Sequence, residues 1–394
     1  MERVKHIAAQ TVHKPRVRNS NIEVLRIIAM AAVMLNHAPW GEAHYLSPVW
    51  PYIARLGLTD IVALLSNWGG VGDCLFFFIS AWFLCNERQS VRKNVSRAWH
   101  LEKQLWFWSI LLFIGCMVIW HLEGNQPGMK KVGLLAFKSV FPFAANLWWY
   151  PTSYILFLLI CPLLTRGLKA LSQWQHASLC VGSLLLFGLV PSRLFPLDMG
   201  YSLVCFLYLY VLVSFLRWYL PEVCHNRNIA KKLILFGLVF GIGTQLIIQC
   251  AFPNNGYLWY LWMNCPRCLP SLCIAFGVII LAVERKPRYS RVVNYIAGST
   301  LAVYLVCTHT FADLILKPLA KLTPVGIVSI LIVIGMSIVT YAAAIVVDAI
   351  RRWIFSCSVD RNVPAQNAWI IDHLLSIRAW AFRNGKRFIA CNEE

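Results

Sequence analysis

"NIEVLRIIAMAAVMLNHA", residues 21–38, decides how the rest of the chain is read. It is an apolar run of membrane-crossing length, which takes about 20 residues of helix. Yet it carries Glu23, Arg26 and His37. An Arg at a helix centre costs roughly 2.5–3.5 kcal/mol even on the gentler insertion scales, so ionisable groups there default to a functional role. Arg26 and His37 are eleven positions apart. At 100° per residue that is three turns plus about 20°, which puts both on one stripe about 16 Å apart along the axis. Glu23 lies three residues before Arg26 on the same face, within reach of the guanidinium.

The whole chain reads as an all-α integral membrane protein. Of its 394 residues 59% are hydrophobic, 17 are Trp and only 13% are charged. Soluble domains run at about 25% charged. The formal charge of +19 raises the question of nucleic acid, but Lys and Arg fall in short blocks between apolar runs and form no continuous basic stripe. No nucleic-acid partner is expected; membrane lipid is.

Hydropathy predicts a bundle of about ten spanning helices, at 22–40, 61–85, 105–122, 146–165, 177–196, 199–219, 233–252, 257–283, 293–313 and 325–349. Breaks fall at Gly124–Gly128 and Pro253–Gly256, and a tight turn is expected near Pro191–Pro196. With the N-terminus inside, the cytoplasmic segments hold 27 Lys and Arg and the external ones eight, Arg26 being the remaining one. That asymmetry predicts an even number of spans with both termini cytoplasmic, in the cell (inner) membrane. Residues 1–21 form a basic cytoplasmic segment, 22–350 the membrane domain and 351–394 a cytoplasmic tail. In the tail, Ile370, Leu374, Ile377 and Ala381 recur at helical spacing beside Arg378, Arg383, Lys386 and Arg387, which predicts a helix lying in the interface. The first span lacks an Ala-x-Ala-like exit and reads as a retained helix.

His37 is a candidate general base, since a neutral imidazole in a polar pocket serves that role near pH 7. Arg26, at the cytoplasmic mouth, is suited to phosphate. The gap between them matches an extended pantetheine arm, with phosphates inside and a thioester reaching inward. The bland reading pairs Arg26 with Glu23 and leaves His37 as a cap at the outer surface. Trp148, Trp149 and Tyr150 open a helix on the outer side, as an interfacial belt or as a platform for a sugar ring. Arg92, Arg97 and Lys103 lie in a basic cytoplasmic loop that marks topology first and a phosphate site second. Gly237 and Gly241 have a close-packing spacing. Cys265 and Cys268 form a lone CxxC, read as inert thiols or a disulfide. No metal site, Walker loop, HExxH or GxSxG is found.

Four segments in order carry a family resemblance. "IEVLRIIAM…NHA" has an Arg followed by ten residues and a His. "GGVGDCLFFFISAWFL" (69–84) is a glycine-led helix with Phe-Phe…Ser-small-aromatic. "NLWWYPTSYILFLLICPLL" (146–164) has Leu-Trp-Tyr…Pro-Leu, and "STLAVYLVCTHT" (299–310) has Ser…Tyr-Leu before a His. Together they resemble the acyltransferase type 3 family of polytopic membrane O-acyltransferases, over about residues 20–350. Two departures stand out: Ala81 replaces the family Gly after Ser80, and Cys307 occupies the family His position, with His309 two residues on.

The resemblance implies acetyl transfer from cytoplasmic acetyl-CoA, as co-substrate with no tightly bound cofactor, to a hydroxyl of a surface polysaccharide or its lipid-linked precursor. It implies His37 as base or acyl carrier. Arg26, Arg92, Arg97 and Lys103 would hold the donor, with Glu23, Asn36 and His309 in support and Trp148, Tyr150 and Tyr304 at the acceptor. The rival class is a multi-pass transporter or flippase for a lipid-linked sugar, against which stands the absence of two related halves.

Overall fold

The computed structural model describes residues 18–47, 49, 51–124, 127–189, 201–252 and 264–361. The predicted tail helix, the Pro191–Pro196 turn and the Pro253–Gly256 break lie outside these residues. Among them no strand occurs. In chain order the helices are α1 (Ser20–Asn36), α2 (Tyr52–Ser66), α3 (Gly69–Leu84), α4 (Val91–Leu122), α5 (Met129–Val140) and α6 (Trp149–Ala170). Then come α7 (Gln173–Ser183, extended by a π turn at Leu184–Gly188), α8 (Leu203–Tyr219), α9 (Pro221–Cys224) and α10 (Arg227–Ala251). The last are α11 (Leu269–Val283), α12 (Arg291–Ala297), α13 (Thr300–Cys307), α14 (Thr310–Lys321) and α15 (Ile327–Cys357).

By length and composition, six segments among the described residues can cross a membrane: α1 with its following turn, α2–α3 as one span, α4, α6, α10 and α15. A seventh is the α12–α13 segment with α14, bent by 75° at the break. α8 and α11 are as apolar but shorter. The predicted second span, 61–85, is a helix pair interrupted at Asn67 and Trp68. Asn67 there bonds Gln245 of α10 at 2.8 Å, so the interruption is tied to a neighbouring helix. The predicted basic loop is a correction: residues from Val91 onward are already helical, so Arg92, Arg97 and Lys103 ride on the first turns of α4.

α1 and α3 pack closely. Gly72 faces Ala29 and Val33, and a Cβ placed on it would lie 2.5 Å from the Ala29 carbonyl oxygen. Gly69 likewise leaves room for the Asn36 side chain. Only glycine permits this backbone approach, the device by which membrane helices gain dispersion contact that lipid cannot supply. Gly237 does the same for α10 against Pro270 and Ile274 of α11. The centre is aromatic: Phe77 stacks on Phe206 at 4.3 Å and meets Phe157 edge-on at 5.0 Å.

The end of the bundle that carries Ser20, here the near end, is knitted by polar contacts. Ser20 bonds Asn294, and its amide donates to the Arg288 carbonyl. Asp348 receives Ser299 and both Arg351 and Arg352. Arg217 lies over the Trp82 ring at 4.5 Å. At the far end the chain after α1 docks on the α14–α15 turn, where the Gly326 amide donates to the His44 carbonyl.

Candidate active site

α1 presents one stripe, Arg26, Met30, Val33 and His37, at spacings of four, three and four residues. Met30 and Val33 are buried and line a small internal space with Asp73, Tyr150 and Tyr304. Arg26 and His37 flank that space along the helix. Arg26 is half-buried and meets Glu23 at 3.8 Å, while Glu23 also takes Arg18 at 3.2 Å. His37 caps α1 through its backbone amide, and its ring is exposed and near the charge of Asp313. Asn36, one residue earlier, packs against Gly69.

Towards the near end a larger cavity of about 330 Å³ opens, lined by Ser80, Arg97, His100, Gln104 and Tyr154 among others. It shares Phe76, Tyr150 and Leu301 with the small space, so the two are adjacent. Arg97 lines this cavity, whereas Arg26 stays on α1 beside Glu23, outside its lining. Arg97 is held by Glu87 at 2.7 Å and by Asn94 at 3.2 Å. Burial pushes the Glu87 carboxyl up, but hydrogen bonds and charge from Arg97 and Lys93 outweigh it and hold it below its ordinary value.

A third space, of about 260 Å³, lies at the far end between α5 and the α13–α14 junction, lined by Lys131, Lys138, Leu147, Thr308, His309 and Thr310. The spaces are stacked along helices. On α3 the order is Ser80, Phe76, Asp73; on α6 Tyr154, Tyr150; on α13 Leu301, Tyr304, Thr308. Trp148 stands between the second and third spaces, its indole donating to the Leu305 carbonyl at 3.2 Å and its ring 5.7 Å from that of His309.

Not every expected residue gathers here. Arg26, His37 and Arg92 line none of these spaces, Arg92 being exposed on α4. Lys103 is buried, and its ammonium is taken by Asp360 at 2.5 Å. Trp148 and Tyr150 are not an interfacial belt: both are buried, Tyr150 against Tyr304 at 5.8 Å and Phe206 at 4.9 Å. Cys307 and His309 have separate surroundings; Cys307 donates to the Tyr304 carbonyl, while His309 caps α14.

Asp73 was missed by sequence reasoning. It is a buried carboxylate inside a membrane-crossing segment, with no ion pair or hydrogen bond among the described residues, and it faces the small space. The rule that singled out Arg26, an ionisable group in an apolar run, applies to it equally.

No curated protein and no solved structure matches the chain. A family model described as "Acyltransferase domain" matches residues 19–349, from the start of α1 to the middle of α15. That span contains the α1 stripe and all three spaces. This polytopic membrane protein belongs to the acyltransferase type 3 family.

Proposed function

We propose that the protein is a membrane O-acetyltransferase that moves an acetyl group from cytoplasmic acetyl-CoA to a hydroxyl of a surface polysaccharide or its lipid-linked precursor. The observation that carries this reading is the stack of spaces from Arg97 to His309, flanked along α1 by Arg26 and His37. In this reading the near end faces the cytoplasm, ten segments cross the cell (inner) membrane, and donor and acceptor meet from opposite sides.

Arg26 and Arg97 hold the CoA phosphates at the mouth of the larger cavity, the phosphate displacing Glu87 from Arg97. A guanidinium fork suits phosphate oxygens better than a lysine point charge. Arg92 and Lys103 contribute attraction at longer range, Lys103 being committed to Asp360. The pantetheine arm then points along α1 to the small space. On the His37 side of that space, which must widen from about 30 Å³ to admit both reactants, the acceptor oxygen attacks the thioester carbonyl carbon while His37 takes the hydroxyl proton; the C–O bond forms, the C–S bond breaks, and the proton passes to the CoA thiolate. In the two-step variant His37 carries the acetyl group between donor and acceptor. Tyr150 and Tyr304 bound the acceptor, Trp148 lies beside its passage to the far-end recess, and Glu23, Asn36 and His309 position these groups.

The test is purified protein with radiolabelled acetyl-CoA and a glycan fraction from the same cells. Label transfer is expected from the wild type and lost in His37→Ala, with membrane insertion unchanged. Full transfer by His37→Ala sinks the mechanism. The bent α12–α14 segment is a feature a transporter would share; solute uptake without label transfer would establish that class instead.

A further inference from the structure

The far-end recess has more chemistry than a passage needs. Its floor is the N-terminus of α14, where Thr308, His309 and Thr310 line the space. Its wall is α5, on which Lys131, Leu134, Leu135 and Lys138 recur at spacings of three, one and three residues and so share one face. α5 is fixed in place against α4: Trp106 donates to the Val140 carbonyl at 3.0 Å, and Ser109 to the Ser139 carbonyl at 2.7 Å. α14 leans on the same helix, Phe311 filling the space beside Gly115.

His309 supplies the independent observation. It is only 3% exposed, and its Nδ1 accepts the Phe311 amide at 3.1 Å. Accepting there requires an unprotonated Nδ1, so the neutral ring carries its hydrogen on Nε2. That Nε2 is buried and has no hydrogen-bond partner among the described residues. A buried donor left without an acceptor is costly, and a ligand oxygen in the recess would supply one. The helix N-terminus adds partial positive charge and the lysines add full charges. The nearest acid of α14, Asp313, is paired with Lys317 at 3.2 Å.

We infer that this recess, lined by Lys131, Lys138, His309 and the N-terminus of α14, binds the acid group of the acceptor, so that the acceptor is an acidic glycan. The inference rests on the acyl-transfer reading and deepens it. Thr308 in the recess lies one helical turn, about 6 Å, beyond Tyr304 in the small space, close to one sugar ring in length. An acid group held here therefore places a hydroxyl of the same or the next sugar beside the donor.

The experiment uses the full-length protein in nanodiscs of zwitterionic lipid, with glucuronate, glucose 6-phosphate and glucose as probes at matched ionic strength, read by thermal shift. The charged sugars are expected to stabilise the wild type and glucose is not. Lys131→Ala/Lys138→Ala should weaken the charged-sugar response by about tenfold or more. His309→Asn keeps an oxygen to cap α14 but removes the Nε2–H, and should weaken it about tenfold with the melting temperature of the ligand-free protein preserved. Equal responses to glucose and both charged sugars, or an unchanged response in the lysine variant, overturn the proposal. So does occupancy by anionic lipid, seen as stabilisation in phosphatidylglycerol nanodiscs with no response to either charged sugar. A wild type that consumes acetyl-CoA without preferring charged sugars defeats this inference alone. One that prefers them but never consumes acetyl-CoA defeats the acyl-transfer reading instead.

Discussion

Asp73 is the residue on which sequence and structure differ most. Arg26 and His37 were legible because helical periodicity alone puts them on one stripe, and α1 is helical through all but the His. Asp73 sits inside the glycine-led motif, where the sequence alone does not say which way it faces. Only the fold shows that Gly72 faces α1 while its neighbour faces Tyr150 and Tyr304. An unpaired carboxylate in a membrane interior is retained against its own desolvation cost, which argues that it works on a proton or a substrate group. Asp73→Asn keeps the shape and removes the charge. Acetyl transfer should fall roughly a hundredfold, the scale of a lost general acid–base group, while the amount of protein in the membrane holds or rises. Transfer at the wild-type rate would make Asp73 structural; the label assay and a membrane blot together decide it.

At the scale of elements, the contact between α1 and α3 sets the site, because it fixes where the Arg26–His37 stripe faces. The glycine-led start of α3 was legible as a motif, but its partner was not: the touching residues are more than thirty positions apart in sequence. Gly72→Ala places a Cβ 2.5 Å from the Ala29 oxygen, so the helices must part. Overpacking of this kind costs about 1–3 kcal/mol, and Gly72→Leu more. Melting temperatures in detergent should fall in the order wild type, Gly72→Ala, Gly72→Leu, with transfer falling alongside; an unshifted Leu variant would mean the contact is not made. The start of α4 is held differently, by Glu87 against Arg97 and Lys93. A carboxyl held below its ordinary value contributes stability above its unfolded pKa, and that contribution is lost as pH falls through and below about 4.5. Glu87→Gln should remove this part of the acid sensitivity, read as a smaller drop in melting temperature between pH 6 and about pH 4. The sequence read this stretch as a loop because basic residues dominate it; their spacing on a helical face shows only once Val95, Ala98 and Leu105 are seen packed inward.

For the whole molecule, composition was enough to establish an all-helical membrane protein, and four ordered motifs were enough to name its family over residues 19–349. The number of crossings was less legible, because three kinds of helix blur it. α2 and α3 make one span from two helices, α12 to α14 are bent by 75°, and α8 and α11 are apolar but shorter than a bilayer needs when standing alone. Short helices survive in a bundle because their neighbours, rather than lipid, cover their ends. α8 does this among α3, α6 and α7, where Tyr210 bonds Thr165 of α6 at 2.7 Å and His176 of α7 meets the Val211 carbonyl at 3.1 Å. Charge gives the orientation to test: Lys and Arg gather at the near end, and membrane proteins carry their excess of Lys and Arg in cytoplasmic loops. Both points are settled by impermeant thiol labelling of intact cells, using proteins with one added cysteine each on a background without Cys250, Cys357 and Cys391. Lys130→Cys and Tyr201→Cys, exposed at the far end, should label directly. Trp174→Cys and Glu222→Cys, exposed at the near end, should label only after permeabilisation. Positions 174 and 201 separate the counts: opposite sides mean that the chain crosses between them, as ten spans require. Labelling of both from the same side means that α7 does not cross, and a reversed pattern throughout would put Arg26 and Arg97 on the side where no acetyl-CoA exists.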